Sequence, residues 1–254
     1  MTGNGFMEIR TLGRASFSPE FQVPVQLVYD SKSEKTGISG FAWSIPQLES
    51  RVCWDKDGML WISPWGERLK FFDKNNAANA KDAISVPYLD AEKSGRGWYA
   101  PYSEWEAFPT GRNGAGKTGN WTVSGRRGNK GWKFVYESGA LSAVESPSGR
   151  KAVFSYSKDG KLVEVSQSGV AFFEISYTET GLVSSLVASG VTNRFSYETS
   201  CLAILPKTPA GFVVTASRPR LRSVATADLD PVEFAYEGNF LSARHQLASA
   251  TCAV

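Results

Sequence analysis

His245 is the only histidine in the 254 residues. A Ser-His-Asp triad could be built only around that residue, and multi-histidine metal sites are excluded. The three cysteines, Cys53, Cys201 and Cys252, lie far apart with no C-x-x-C pair, so neither a disulfide framework nor a zinc site is indicated. They read as ordinary reduced residues in or near the core. No apolar run approaches the ~18 residues of a membrane span. The opening MTGNGFMEIRTLGRAS has no apolar stretch after basic residues, so no signal peptide is visible in it. Charge is nearly balanced, with 28 basic against 25 acidic residues and a formal net charge of +3, which supplies no field for nucleic acid.

Aromatic residues and short strands are plentiful instead. All 8 tryptophans fall between Trp43 and Trp132, whereas the remainder is rich in Ser, Val, Tyr and Gly. This shift divides the chain into a Trp-rich segment, 1–130, and a repetitive one, 131–254, which could still form one continuous domain. The repetition is periodic: Tyr136, Tyr156, Tyr177 and Tyr197 are each preceded two positions earlier by Phe134, Phe154, Ile175 or Phe195. Gly139, Gly160 or Gly181 follows the first three, then a Leu-containing run, then a turn ending at Gly149, Gly169 or Gly190.

Each unit thus reads as strand, turn, strand, turn. Patterns such as Phe154-x-Tyr156 and Leu162-x-x-Val165 suit short strands with one buried face, and glycines supply positive φ at turns. One such hairpin cannot bury its face alone, so neighbours must stack edge to edge. A fifth pair, Phe234 and Tyr236, follows after a region around 210–224 that is degenerate or carries an insertion. In the first half, FQVPVQLVYDS alternates apolar and polar residues, with a proline that suits an edge strand. Gly58, Leu60 and the turn 63-SPWG-66 correspond to Gly139, Leu141 and 146-SPSG-149. No segment reads as a convincing amphipathic helix, and 75-NNAANAKDAISV-86 suits a loop or one short helical turn. The expected fold is all-β, an array of antiparallel hairpins in a curved or spiralling sheet.

The repeat resembles the Rhs, or YD, repeats of bacterial secreted and surface proteins, in which Tyr-Asp is followed by Gly-x-Leu, a Val and a Gly turn. The stretch FSPEFQVPVQLVYDS…GISGFAWSIPQLESRV, with Gly37, Gly40, Trp43 and Ser44, is similar to the segment that opens such proteins. The resemblance implies a spiralling strip of hairpins, closed in long members into a shell around a toxin domain, and a place at the cell envelope or outside the cell. Glu137, Ser157, Thr178 and Glu198 stand where the family has Asp, and Asp230-Pro231 continues as Val232-Glu233 rather than with the family's self-cleavage motif. With so few units and no toxin domain, a stand-alone or truncated relative is expected.

Gly111, Gly116, Lys117 and Thr118 satisfy the phosphate-loop pattern G-x-x-x-x-G-K-[ST] within 108-FPTGRNGAGKTGNW-121. Such a loop needs a buried parallel strand before it and a helix after it. Here Glu104, Glu106 and Pro109 precede it and Gly119-Asn120 follow, so the match reads as a chance one, a basic hairpin loop with no nucleotide cofactor. Trp98, Tyr99, Tyr102, Trp105, Trp121 and Trp132, beside Glu104, Glu106 and Arg112, could form a stacking platform for a glycan or peptide, or else core or cap. Arg126, Arg127, Lys130 and Lys133, like Arg218, Arg220 and Arg222, alternate with strand formers, which places charge on a solvated face.

For hydrolysis, Glu104 with Glu106, or Asp55 with Asp57, would share one strand, whereas a glycosidase pair usually comes from different strands. At 27–33, LVYDSKS carries Lys32 where an aspartic protease needs glycine. The leading expectation is therefore a non-enzymatic scaffold or binding protein of the Rhs/YD type, with a protein or glycan partner. The alternative is a hydrolase of glycans or glycoproteins using carboxylates of the Trp-rich half. A nucleotide hydrolase is the third reading.

Overall fold

The computed structural model describes residues 6–9, 26–30, 33, 35–55, 58–71, 98–100, 103–110, 119–188, 190–204, 214–227, 229–237 and 246–252. Their regular structure is β, apart from one 3-10 turn at Arg127–Asn129. Among the described residues the registered strand pairings are antiparallel. The all-β hairpin array expected from the turn glycines is what forms.

In chain order the strands are β1 (Phe6–Ile9), β2 (Leu27–Asp30), β3 (Thr36–Gly37), β4 (Gly40–Phe41), β5 (Trp43–Ser44), β6 (Arg51–Asp55), β7 (Gly58–Ile62) and β8 (Arg68–Phe71). There follow β9 (Trp98–Tyr99), β10 (Trp105–Pro109), β11 (Trp121–Gly125), β12 (Lys133–Glu137), β13 (Ala140–Glu145), β14 (Lys151–Tyr156) and β15 (Leu162–Gln167). The last six are β16 (Val170–Tyr177), β17 (Val183–Ala188), β18 (Val191–Ile204), β19 (Val214–Thr226), β20 (Val232–Glu237) and β21 (Gln246–Cys252).

They fall into two compact units, the first Met1–Ala15, Pro24–Pro46 and Phe172–Val254, the second Ser16–Val23 and Gln47–Ala171. In the second unit, β9 to β15 pair in sequence, while β6, β7 and β8 form a meander joined to β13 through Arg51 opposite Ala140. The compositional change near residue 131 falls between two paired strands of this unit, β11 and β12. Its core holds Trp61, Trp121, Phe71, Phe134 and Tyr136. At ~200 Å² each and about 25 cal/mol per Å², such aromatics supply several kcal/mol apiece on burial.

In the first unit β16 to β21 pair in sequence. The opening segment adds a three-stranded sheet, β1-β2-β5, and the small β3-β4 hairpin. β2 is the central strand of that sheet and not an edge; Pro24 precedes it, outside the described residues. Trp43, 2% exposed, donates its indole N–H to the Tyr236 hydroxyl at 2.8 Å, and Val183 N donates to Ile38 O at 2.8 Å.

The tyrosine register has a backbone cause. At each of the five repeat tyrosines the ladder shifts by one residue, a β-bulge. Tyr136 faces Leu141, Tyr156 faces Leu162, Tyr177 faces Val183, Tyr197 faces Leu221 and Tyr236 faces Leu247, always with one partner residue skipped. The hydroxyl then reaches the neighbouring hairpin. Tyr156 donates to Leu141 O at 2.8 Å, Tyr197 to Val183 O at 2.8 Å and Tyr236 to Leu221 O, each acceptor being the residue that opposes the preceding tyrosine.

Of the two readings of the region around 210–224, the insertion is the one that forms: β18 and β19, of 14 and 13 residues, are one lengthened hairpin paired from Asn193↔Thr226 to Ile204↔Val214. Two other expectations need correction. Arg220 does not lie on a solvated face, being 4% exposed with its guanidinium carbon 4.7 Å above the Tyr236 ring. That aromatic contact, a cation–π arrangement, compensates part of its lost hydration. Cys53 is exposed rather than in the core, because it points away from the face that buries Val52.

Candidate functional site

The site begins with a turn that occurs four times among the described residues. In 63-SPWGE-67, 146-SPSGR-150, 157-SKDGK-161 and 178-TETGL-182 the first residue's N–H donates to the fifth residue's carbonyl at 2.7–2.9 Å. The glycine N–H donates back to the first carbonyl at 2.9–3.0 Å. The first hydroxyl also accepts from the fifth N–H, at 2.9, 3.2, 3.1 and 3.1 Å in chain order. Four sequences therefore build one backbone device, a self-bonded ST motif.

The third residue distinguishes the first copy. Ser148, Asp159 and Thr180 each bond the opening hydroxyl of their own turn, at 2.9, 2.6 and 2.8 Å. Trp65 stands in that position and has no group that can make this bond at its reach. Instead its ring packs near Trp61 (centroids 6.0 Å), Trp105 (5.6 Å) and Phe134 (5.6 Å), with 37% of the residue exposed.

Around it opens a recess of about 400 Å³ lined by Trp65, Glu67, Ser103, Glu104, Trp105 and Asn129. Trp105 is held from below by Trp61 at 5.3 Å and Phe134 at 5.4 Å, while its backbone N–H donates to Ser103 Oγ at 3.1 Å. Glu104 Oε2 accepts from Asn129 Nδ2 at 3.1 Å, and Glu67 Oε2 accepts from the Trp65 indole at 3.4 Å. Among the described residues neither carboxylate is in an ion pair, whereas Glu106 lies 3.4 Å from Arg126. Both Glu67 and Glu104 are exposed. Indole faces beside unpaired carboxylates attract cations and flat polar ligands.

Of the aromatic residues singled out in the sequence, Trp105 lines this recess. Trp121 lies in the core at 1% exposure, and Trp132 is half-buried, stacked on Phe134 at 6.5 Å and 19°. Trp98 and Tyr99 form β9, opposite Ala107 and Glu106; Tyr102 and Arg112 lie outside the described residues. Trp65 and Glu67 were missed, although the pairing of SPWG with SPSG displays the odd tryptophan. Gly111, Gly116, Lys117 and Thr118 also lie outside the described residues. The strands on either side of them pair antiparallel, Pro109 with Trp121, and Thr110 N donates to Asn120 O at 2.9 Å.

Among the described residues no three His, Cys, Asp or Glu side chains gather as metal ligands, and no helix is long and apolar enough to cross a membrane. No family model and no curated protein matches the chain. Among solved structures it is similar to a chain of the "Crystal Structure of TcdB2-TccC3-Cdc42", with 14% identity and a TM-score of 0.42. That likeness covers 93% of this chain and 14% of the other, so the chain spans a small part of its neighbour's length.

Proposed function

We propose that the chain is a non-enzymatic structural or binding scaffold of the Rhs/YD-repeat type, working at a cell envelope or outside the cell. One observation carries this reading: the five tyrosines that set the sequence period stand at equivalent bulges, and three of them join neighbouring hairpins through the same hydroxyl-to-carbonyl bond. A repeat built this way extends one surface by adding units, which is the property of a scaffold. Its binding face is the recess of Trp65 and Trp105, with a protein or glycan as partner.

A hydrolase of the two-carboxylate kind holds its acid in an apolar pocket. Glu67 and Glu104 are both exposed, and Glu106 is tied to Arg126. The test is a screen of the purified chain against polymeric glycans and glycoproteins, run beside Glu67→Gln/Glu104→Gln. No product in either supports the scaffold; product from the unaltered chain that disappears in the double variant replaces it with a hydrolase. Cell fractionation tests location, with recovery in the cytosol alone counting against the envelope or exterior.

A further inference from the structure

Trp65 is surplus to the turn that carries it. Three sister turns fold with Ser148, Asp159 or Thr180 in its place, each adding a hydrogen bond to the turn's own hydroxyl that Trp65 forgoes. The fifth position departs as well, since Glu67 stands where two of the sisters carry the basic Arg150 and Lys161. The turn itself thus requires neither an indole nor a carboxylate here. Both line the recess, and Trp65 keeps 37% of its surface exposed beside Trp105.

We propose that this recess receives a guanidinium, the arginine side chain of a partner protein. This rests on the binding-scaffold reading and names the chemistry of its partner. Charge decides the class: Glu67 and Glu104 present two carboxylates without a cationic partner among the described residues, and the lining supplies no positive charge. Guanidinium is favoured over ammonium because its plane can lie on the Trp65 or Trp105 ring while its edge N–H groups donate to a carboxylate. The charged groups of the lining, Glu67 and Glu104, are acceptors only, and Asn129 already directs one N–H at Glu104. Free arginine fits poorly, since its own carboxylate would face Glu67 and Glu104. A recess of about 400 Å³, open on one side, admits a side chain presented by a polypeptide.

The experiment is an NMR titration of the full chain, reading the indole N–H resonances of Trp65 and Trp105, with an N-acetylated, C-amidated Gly-Arg-Gly peptide. Saturable shifts of both are expected, with a dissociation constant on the order of a millimolar. The citrulline peptide, equal in shape but uncharged, should bind about tenfold or more weakly, and free arginine should be weaker than the peptide. Glu67→Gln/Glu104→Gln should produce the same loss while the Trp61 indole resonance, bonded to Tyr136, stays in place as a check on folding. Equal binding of the citrulline peptide, or no shift with arginine, overturns the proposal. Shifts with a neutral oligosaccharide alone would make the recess a glycan site, and equal binding of free arginine would make it a small-molecule site. A failed titration together with a product-free glycan screen would leave the scaffold reading standing without this partner.

Discussion

Trp61 donates its indole N–H to the Tyr136 hydroxyl at 2.5 Å, and the same hydroxyl meets Ser50 Oγ at 2.9 Å. All three residues are buried, so the phenol replaces water for two other polar groups. Tyr136→Phe leaves the Trp61 N–H without that acceptor in the core. The expected loss is about 2 kcal/mol in chemical denaturation, against about 1 kcal/mol for Tyr156→Phe, where a half-buried hydroxyl leaves one carbonyl. Equal losses would show that the buried triad holds nothing extra.

Alkali should unfold the protein. Burial holds the hydroxyls of Tyr29, Tyr136, Tyr197 and Tyr236 protonated well above the ordinary tyrosine range. The unfolded chain ionises at about pH 10, so this stability is complete below that pH and falls as pH rises beyond it. Each buried phenol contributes a slope of about 1.4 kcal/mol per pH unit, the half-buried Tyr197 and Tyr236 less. Absorbance at 295 nm should show a late tyrosinate fraction that ionises together with loss of β-sheet dichroism.

At the surface, Ser157 Oγ donates to Asp159 Oδ1 at 2.6 Å and Lys161 Nζ lies 3.1 Å from Oδ2. These contacts, the hydroxyl first, hold the carboxyl at a pKa of about 2. A carbon-detected titration should place the midpoint there, and Ser157→Ala should raise it toward the usual aspartate range. An unchanged midpoint in the variant would assign the depression to Lys161 instead.

Glycine substitutions separate backbone sign from space. Gly160 has φ of 77° with nothing within 4 Å of an added Cβ, so Gly160→Ala should cost about 1 kcal/mol through the left-handed backbone alone. At Gly58 an added Cβ would sit 2.4 Å from Phe71 O, a backbone atom that cannot swing aside. Gly58→Ala should cost about 3 kcal/mol through strand displacement. Denaturation midpoints in reverse order would contradict this.

The hairpins were legible because the tyrosine period coincides with a bulge, and glycines mark the turns. The bulge itself was not legible. It buries residues three apart, Leu162 with Val165, Val183 with Leu186 and Leu221 with Val224, a spacing that simple strand alternation does not give. The same phase slip, together with the Tyr236 ring, explains why alternation misplaced Arg220. At the site, Trp105 could be found from local aromatic density. Trp65 shows in the sequence only as the odd residue of 63-SPWG-66, because the Trp105 ring it meets lies 40 positions further along on another strand.

The lengthened hairpin shows where the lattice is indifferent to what it carries. β18 and β19 run on past the Tyr197 bulge as far as Ile204↔Val214, yet Tyr197 meets Val183 O and Tyr236 meets Leu221 O. Register is fixed at the tyrosines, and hairpin length varies past them. A hairpin end is therefore a splice point, where foreign sequence can be inserted without disturbing the next row of the sheet.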